Sequence, residues 1–294
     1  MKILNFGSVN IDHVYSVGHF VRPGETLSSL SYNRFSGGKG ANQSVALARA
    51  GADVYHAGRI GTDGLWLKEK LKGAGVKTKY LDVSETPTGH AVIQVSTSGE
   101  NSIILFGGAN QSVDREFADS VLKGFHKGDF LLLQNEISST AFIMKKASQL
   151  KLKIIFNPAP MNKDVLSYPL KLVDIFILNE IEGAELAGKS GTQKIINEMK
   201  RKFPNALTIL TLGSKGVAYM ENGKVVSVPA LKVKAVDTTA AGDTFIGYFL
   251  ASISRSCNIG DAIKLACKAA ALCVTRRGAA DSIPNLSEVM HGAR

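Results

Sequence analysis

The chain alternates between short, continuously apolar runs and longer segments in which apolar residues recur at helical spacing. Continuous apolar runs are typical of strands that are covered on both faces. The predicted strands lie at 3–6, 54–57, 130–133, 154–156, 175–178 and 208–212, and the predicted helices at about 41–50, 63–73, 114–124, 139–150, 191–202, 242–254 and 260–275. This alternation predicts an α/β fold with a mostly parallel central sheet and helices on both faces.

Two regions, at about 11–35 and 88–106, interrupt this rhythm. The first has no helical period, and the second indicates a β-hairpin that turns at 98–101. We expect both to form a small β-sheet lid outside the main sheet, within a single domain that spans 1–294. A β flap over the strand ends would exclude water from a reaction. The alternatives are an ordinary edge extension and a dimer contact, and these could be true together with the lid.

Length, composition and charge narrow the choice of partners. The chain has 294 residues, of which 45% are apolar, enough for one large domain with a sizeable core. Its formal net charge is +10, but the basic residues are interleaved with apolar ones at helical spacing, as on solvated helix faces. Because no basic segment is studded with aromatic residues, we expect no nucleic-acid partner. The positive field suits an anionic nucleotide instead.

The cysteines and the apolar segments indicate the compartment. Cys257, Cys267 and Cys273 are odd in number and contain no Cys-x-x-Cys pair, so a disulfide framework is not expected. The six histidines are scattered, without metal-ligand spacing. No segment reaches the roughly 18 apolar residues of a spanning helix, and the N-terminus resembles a first strand rather than a signal peptide. We therefore expect a cytoplasmic protein without a membrane partner.

The sharpest local feature is the segment 236–245, where an extended run opens into a helix. The small residues Ala240, Ala241 and Gly242 would leave backbone N–H groups bare at the helix start, where the dipole favours an anion. Asp243 would lie beside that anion hole and accept the proton of an attacking hydroxyl. The alternative is that Asp243 only complements the helix dipole as a first-turn acid.

A second candidate segment, 36–43, is rich in glycine and precedes a helix. Gly38 permits a tight turn and the close approach of a ligand to the backbone. Lys39 and Asn42 supply a cation and an amide near that turn, which can hold ligand hydroxyl groups by directed hydrogen bonds. The alternative is a glycine-rich helix start that binds nothing.

The segment 183–190 formally matches the P-loop pattern Gly-x-x-x-x-Gly-Lys-Ser. Its four intervening residues are strong helix formers, and it does not directly follow a strand. We therefore interpret Gly188 as a helix C-terminal glycine and not as part of a phosphate-binding loop. No Gly-x-Gly-x-x-Gly motif follows the first strand, which argues against a dinucleotide-binding dehydrogenase.

Several motifs, taken in order along the chain, resemble those of the ribokinase-like (PfkB) family of sugar kinases. They lie at 7–12, 37–42, 157–160, 179–182, 212–216, 240–245 and 275–279, so the resemblance covers essentially the whole chain. One such motif is weak evidence, but the ordered set is specific. It implies a central sheet flanked by helices, a β lid that often mediates dimerisation, and ATP as the phosphoryl donor.

The resemblance implies transfer of the γ-phosphate of ATP to a hydroxyl of ribose, which gives ribose 5-phosphate. Asp243 would be the general base, and the backbone of Ala240, Ala241 and Gly242 would stabilise the transferring phosphoryl group. The residues that would bind the sugar are Asn10, Asp12, Gly38, Lys39, Asn42, Glu136 and Asp243.

The resemblance also implies positions for the nucleotide and for Mg²⁺ and K⁺. Asn179 and Glu182 match an Asn-x-x-Glu motif that is linked to a Mg²⁺–phosphate network. The expected nucleotide-site residues are Asn179, Thr211, Gly213, Ser214, Lys215, Gly216, Gly242 and Cys267, the last of them near the adenine. A monovalent cation, usually potassium, would be held by Asp237 and Thr239 and by backbone oxygens of Cys273, Arg276, Gly278 and Ser282.

The chain departs from the family pattern at a few positions. Residues 106–110 match only in part, and Asn135 stands before Glu136 where an apolar residue is common; both concern the identity of the sugar. Cys267 replaces a larger polar residue near the adenine. A same-fold kinase for deoxyribose, fructose or adenosine therefore stays open. A non-catalytic sugar-binding regulator is a further alternative, which the intact Gly242-Asp243 pair and Asn-x-x-Glu motif oppose.

Overall fold

The computed structural model describes residues 1–291, in which the strands form two sheets. In chain order the strands are β1 (Ile3–Phe6), β2 (Asn10–Val17), β3 (Ser31–Gly37), β4 (Val54–Ile60), β5 (Lys77–Val83), β6 (Gly89–Ser96), β7 (Asn101–Phe106), β8 (Phe130–Leu133), β9 (Lys153–Phe156), β10 (Ile175–Asn179), β11 (Leu207–Thr211), β12 (Val217–Glu221) and β13 (Lys224–Val228). The larger sheet has the order β13-β12-β11-β10-β9-β8-β1-β4-β5, and the smaller has the order β3-β2-β6-β7.

The larger sheet is parallel from β5 to β11 and becomes antiparallel where β12 and β13 join its edge. Every residue of β1 and β8 is buried, as expected for apolar strands that are covered on both faces. The predicted fold class is confirmed. The edge strand β5 was not predicted, because its mostly polar and exposed sequence contains no continuous apolar run.

Helices cover both faces of the larger sheet. They are α1 (Lys39–Arg49), α2 (Leu65–Gly73), α3 (Arg115–Leu122), α4 (Thr140–Gln149), α5 (Glu180–Ala187), α6 (Thr192–Lys202), α7 (Ala241–Ile253), α8 (Ile259–Cys273) and α9 (Leu286–His291). One buried apolar cluster packs α1, α2, α7 and α8 against one face, and a second packs α3 to α6 against the other. The short helix α9 was not predicted, because it shows too few turns of apolar period. The short helix α5 was predicted only through the interpretation of Gly188 as a helix C-terminal glycine. Within residues 1–291, no helix combines the length and the apolar character needed to cross a bilayer.

The smaller sheet lies outside the larger one and contains both pairing senses. β2 pairs in antiparallel fashion with β3 and in parallel fashion with β6, which pairs with β7 in a hairpin. Nearly all of this sheet comes from the two regions predicted as a lid. Every residue of its edge strand β7 is exposed, including three consecutive aliphatic side chains from Ile103 to Leu105.

Candidate functional site

The carboxyl ends of the parallel strands β1 and β8 to β11 meet at one edge of the larger sheet, which is where ligands bind in open α/β folds. A cavity of about 110 Å³ lies at this edge. Its lining includes Lys39, Asn157, Asn179, Glu182, Thr211, Gly242 and Asp243. The cavity therefore joins residues predicted for the sugar to residues predicted for the nucleotide.

The start of α7 presents free amides to this cavity. Ala240 precedes the helix with a left-handed backbone (φ 60°), and the N–H of Ala241 donates to the Thr238 carbonyl at 3.3 Å. Among the residues that the structure describes, none accepts a hydrogen bond from the backbone N–H of Gly242 or of Asp243. Together with the helix dipole, free N–H groups favour an anion. The amides best placed for the predicted anion hole are thus those of Gly242 and Asp243, and the amide of Ala241 is partly engaged.

Asp243 is buried, with 9% of its surface exposed, and is held by two side-chain amides. Asn42 Nδ2 donates to its Oδ2 at 3.1 Å, and Gln43 Nε2 donates to its Oδ1 at 2.9 Å. Burial raises the pKa of Asp243, while the positive charge of Lys39 and the two hydrogen bonds lower it. A carboxylate held in this way has a higher proton affinity than a free one and a fixed orientation, which suits a general base.

Lys39 places a positive charge among the carboxylates of the site. It is the first residue of α1, after Gly38, whose φ of 90° favours glycine. Burial alone would lower the pKa of Lys39, but the carboxylates of Asp243, Glu136 and Glu182 raise it above its usual value. Lys39 is therefore charged at neutral pH and balances the surrounding negative groups.

Glu136 follows β8 and is tied to the starts of two other elements. Its Oε2 accepts hydrogen bonds from the Ser8 hydroxyl and from the backbone N–H of Lys39, the latter at 3.0 Å. Burial raises the pKa of Glu136, and the contacts with Ser8 and Lys39 oppose that shift. The structure thus brings Glu136 to the glycine-rich segment, and its contact with the sugar stays a prediction.

Asp12 extends from β2 toward the same group of residues. Burial, and after it the negative charge of Glu136, raises the pKa of Asp12 to about 6. A Cβ at Gly37 would stand 2.2 Å from the Asp12 carboxylate oxygens, so only glycine leaves room for that carboxylate. This is a physical reason for the paired glycines before Lys39.

Asn10 lies beside Asp12 on the smaller sheet, where another asparagine orients its side chain. Asn110 Nδ2 donates to Asn10 Oδ1 at 2.7 Å, and Asn110 Oδ1 accepts from the Val9 N–H at 3.0 Å. Because the Val9 N–H can only donate, Asn110 must turn its amide nitrogen toward Asn10. Within residues 1–291, no group accepts a hydrogen bond from Asn10 Nδ2, so these N–H groups are available to a ligand oxygen.

Asn179 and Glu182, which were predicted for the nucleotide and for Mg²⁺, form a reciprocal capping box at the start of α5. Asn179 Oδ1 accepts from the Glu182 N–H at 2.9 Å, and Glu182 Oε2 accepts from the Asn179 N–H at 2.9 Å. Burial raises the pKa of Glu182. The pair is therefore a structural cap that also lines the cavity, so the motif combines a local folding role with a position in the site.

The remaining residues predicted for the nucleotide follow β11. Thr211 Oγ1 donates to the Leu178 carbonyl at 3.1 Å, and the chain then makes an exposed turn through Gly213, Ser214 and Lys215. Gly216 has a φ of 105° and no room for a Cβ, which would lie 2.1 Å from the Val228 carbonyl. Cys267 is buried in α8 and is not among the described residues that line the cavity. Its predicted adenine contact stays a prediction.

The residues predicted to hold a monovalent cation come together beside α7. The two Asp237 carboxylate oxygens accept from the Thr239 N–H at 2.9 Å and the Gly278 N–H at 3.0 Å. Cys273 Sγ lies 3.1 Å from the Ser282 hydroxyl and 3.8 Å from the Thr239 carbonyl. Arg276 instead turns its guanidinium to Glu288, at 2.6 Å, so only its backbone is free for this site.

Sequence reasoning assigned no role to the buried amides that surround the predicted residues. Asn5 and Gln134 lie in or directly after the apolar strands β1 and β8, and Gln43 is the residue after Asn42. All three are at most 1% exposed. A polar residue inside an otherwise apolar strand was the available signal, because a buried amide needs partners.

The false P-loop is not a phosphate loop in the structure. Residues before Gly188 belong to α5, and Gly188 ends that helix with a left-handed backbone (φ 69°) and an N–H that donates to the Ala184 carbonyl. The interpretation of Gly188 as a helix C-terminal glycine is confirmed. Lys189 consequently lies on the surface, outside the cavity lining.

Comparisons with known proteins give one consistent result. The model of the pfkB family of carbohydrate kinases matches residues 1–286. A ribokinase of Haemophilus influenzae is 39% identical over 97% of this chain and 95% of that protein. A Cryptococcus neoformans ribokinase structure in complex with ADP has a TM-score of 0.87 and 37% identity, with 99% of each chain covered. An Arabidopsis thaliana ribokinase complexed with ribose and ATP has a TM-score of 0.85 and 30% identity, with 98% of this chain and 97% of that chain covered.

Proposed function

The chain belongs to the pfkB family of carbohydrate kinases, and from this premise we propose that it transfers the γ-phosphate of ATP to ribose, giving ribose 5-phosphate. One observation supports the proposal most directly. A buried carboxylate, Asp243, lies next to unpaired amides at the start of α7 and opens onto a cavity that Lys39 also lines. A buried carboxylate beside free amides supports the proposal, because phosphoryl transfer to an alcohol requires a base next to an anion site.

In the proposed reaction Asp243 takes the proton of the sugar hydroxyl. The hydroxyl oxygen forms a bond to the γ-phosphorus of ATP, and the bond from that phosphorus to the oxygen of ADP breaks. The free amides of Gly242 and Asp243 would stabilise the charge on the transferring group. The N–H groups of Ala240 and Ala241, of which that of Ala241 is partly engaged by the Thr238 carbonyl, would add to the predicted anion hole. Lys39 would further neutralise charge at the same edge of the cavity.

The sugar would be held opposite Asp243 by groups of both hydrogen-bonding types. The carboxylates of Asp12 and Glu136 would accept hydrogen bonds from sugar hydroxyls, and the amides of Asn10 and Asn42 would donate to sugar oxygens. Gly38 would let the sugar approach the backbone closely. Such fixed acceptors and donors position one hydroxyl for attack, which is the main contribution of a kinase site.

Ribose binding should weaken as the pH falls through 6. The pKa of Asp12 is raised to about 6 by burial and Glu136, so below that pH Asp12 is protonated and a weaker acceptor. The raised pKa of Asp12 also lowers the free energy of unfolding above pH 6. This loss of stability shrinks as the pH falls and disappears below about 4, the ordinary pKa of an aspartate. Calorimetric titration with ribose should give roughly tenfold weaker binding at pH 5 than at pH 7. Asp12→Asn should bind ribose weakly, and its affinity should change less with pH than that of the wild type. An equal change of affinity with pH in both proteins would contradict the assignment of Asp12 to the sugar site.

The capping-box carboxylate suits a role in a magnesium network. Glu182 is 6% exposed and both its carboxylate oxygens face Asn179, so we propose that it acts on Mg²⁺ through ordered water. Bound Mg²⁺ would neutralise charge on the phosphates of ATP. A metal chelator should abolish activity, and added Mg²⁺ should restore it. Glu182→Gln should be less active than the wild type at the same Mg²⁺ concentration.

The loop beside α7 has the oxygen ligands that a hard monovalent cation prefers. Hydrogen bonds from Thr239 and Gly278 keep the pKa of Asp237 below its usual value despite partial burial, so this carboxylate is anionic. We propose that Asp237, Thr239 and the backbone of 273–282 hold potassium next to the anion hole. Activity in potassium should exceed activity in an equal concentration of a large organic cation, and equal activity would contradict the site.

We propose that the smaller sheet is both a lid over the sugar and a homodimer contact. The edge strand β7 exposes Ile103, Ile104 and Leu105, with Ile104 67% exposed, and such contiguous apolar surface favours burial against a partner. Sedimentation velocity should show a dimer, and Ile103→Asp combined with Leu105→Asp should shift it to monomer.

The three free cysteines further support a cytoplasmic location, which cell fractionation checks.

Lys189→Ala should leave turnover within about twofold of the wild type. The side chain lies on the surface after the end of α5 and outside the cavity, so it has no phosphate to bind. Steady-state assays at saturating ribose and ATP measure this directly. A large loss would show that the segment 183–190 acts as a phosphate loop after all.

A substrate panel tests the proposed function as a whole. ADP release should be measured with ribose, deoxyribose, fructose, xylose and adenosine, each with and without potassium. Ribose should give the highest kcat/KM. Turnover of another acceptor with inert ribose would overturn the substrate and keep the kinase class, whereas sugar binding without any ADP release would favour the regulator.

A further inference from the structure

The buried amides behind Asp243 form one continuous hydrogen-bonded chain. Gln43 Nε2 donates to Asp243 Oδ1 at 2.9 Å, and Gln43 Oε1 accepts from Gln134 Nε2 at 2.6 Å. Gln134 Nε2 also donates to Asn5 Oδ1 at 2.9 Å. The hydrogen-bonded chain therefore runs from β1, through the residue after β8 and the second turn of α1, to the start of α7.

A backbone carbonyl fixes the direction of this chain. The amide nitrogen of Asn5 lies 2.7 Å from the Gly40 carbonyl, which can only accept a hydrogen bond. Asn5 must therefore turn its side-chain oxygen toward Gln134, and Gln134 must donate to that oxygen from its amide nitrogen. The same nitrogen of Gln134 also donates to Gln43, so the side-chain oxygen of Gln43 must face Gln134. The amide nitrogen of Gln43 is therefore left to face Asp243.

A second backbone carbonyl leads independently to the same orientation. Asn157 Nδ2 donates to the Ile177 carbonyl at 3.0 Å, which leaves Asn157 Oδ1 directed at Gln43. Gln43 Nε2 lies 3.2 Å from that oxygen, so it must be the donor. The carbonyl of Gly40 in α1 and the carbonyl of Ile177 in β10 thus agree that both N–H bonds of Gln43 point at acceptors, one of which is Asp243.

We propose that Gln43 is a positioning residue that holds Asp243 ionised and in one orientation for proton abstraction. This inference rests on the proposed role of Asp243 as the base. Gln43 occupies Oδ1, so the carboxylate cannot rotate without breaking a buried hydrogen bond to a charged group. The other oxygen, Oδ2, is bonded by Asn42 on the predicted sugar side. Gln43 itself is fully buried and would act only through Asp243.

Gln43→Met keeps the approximate volume but removes the donor. Hydrogen bonds to charged groups contribute enough to change rates by about 10- to 100-fold, so kcat should fall by that factor while the KM for ATP stays within about twofold. The acid limb of the kcat–pH profile should move to higher pH by about one unit, because the ionised form of Asp243 has lost a stabilising bond. Gln193→Met, on the exposed face of α6, is the matched control and should change none of these values.

Gln43→Glu separates positioning from packing. Glutamate has nearly the same shape, so a purely structural role would be rescued by it. Positioning predicts the opposite, because a second carboxylate against Asp243 forces the pair to share a proton and shifts the acid limb further upward than methionine does. Turnover near pH 7 should accordingly be lower in Gln43→Glu than in Gln43→Met.

The outcomes separate this inference from the proposed function. If Asp243→Asn is inactive but Gln43→Met and Gln43→Glu keep the wild-type kcat and pH profile, the positioning role is wrong and the base stands. If Asp243→Asn is fully active, both fail. ADP binding and thermal unfolding establish that each variant is folded. Should neither variant fold, the side-chain amide signal of wild-type Gln43 in nitrogen-15 NMR decides: it should shift in Asp243→Asn, and an unchanged signal would overturn the proposal.

Discussion

Asp243→Asn should lower kcat by about two to four orders of magnitude, which is the usual effect of losing a general base. Asparagine has the shape of aspartate but cannot take a proton from the sugar hydroxyl. Its oxygen can still accept from either Gln43 or Asn42, although its amide nitrogen would face the other donor. Ribose binding, measured by calorimetry, should therefore be largely kept while turnover, measured by ADP release, is lost.

The matched control for this variant is Asp261→Asn. Asp261 also lies in the first turn of a helix, α8, but it is exposed and does not line the cavity. It tests the alternative that a first-turn acid only complements the helix dipole, an effect of roughly 0.3–1 kcal/mol on stability. Asp261→Asn should leave kcat unchanged. If both variants turn over at the wild-type rate, Asp243 is not the base.

Lys39→Met should reduce kcat/KM by about two to three orders of magnitude and also lower the melting temperature. The negative charges of Asp243, Glu136 and Glu182 act on the ammonium group of Lys39, and its removal leaves these carboxylates without that compensating charge. Losing one member of a buried charged set typically costs about 3–5 kcal/mol. The remaining carboxylates would bind protons more tightly, so the acid limb of activity should shift to higher pH.

Lys123→Met provides the control for that prediction. Lys123 is 77% exposed and makes only a loose pair with Asp119, so its removal should change stability by less than about 1 kcal/mol and activity hardly at all. Steady-state kinetics from pH 5.5 to 8.5 and thermal unfolding of both variants would decide. Wild-type kcat/KM in Lys39→Met would show that charge balance in the cavity is not needed for transfer.

The fold could be predicted to a large extent because burial on both faces leaves a strong pattern. Predicted helices with long apolar periods agree with the structure to within about two residues at each end. The edge strand β5 could not be found in this way, since an edge strand has no need of a continuous apolar run. Its place was set by pairing with β4, a contact that local sequence does not encode.

The site could be predicted only where its residues form local motifs. The segment 240–243 combines small residues with an acid at a helix start, and its chemistry follows from that arrangement. The sequence could not predict which backbone N–H groups are free. The left-handed backbone of Ala240 directs the Ala241 N–H to the Thr238 carbonyl, and such a conformation is not expected of an alanine. The amide chain from Asn5 to Gln43 was also missed, since its members are far apart in sequence and meet only when β1, β8 and α1 pack together.

The most direct measurement is a crystal structure with ribose and a non-hydrolysable ATP analogue bound at the same time. The terminal phosphate should contact the N–H groups of Gly242 and Asp243, and one ribose hydroxyl should lie within hydrogen-bonding distance of the Asp243 carboxylate and in line with the phosphorus. A terminal phosphate bound away from the start of α7, or a sugar whose hydroxyls do not reach Asp243, would contradict the proposed mechanism.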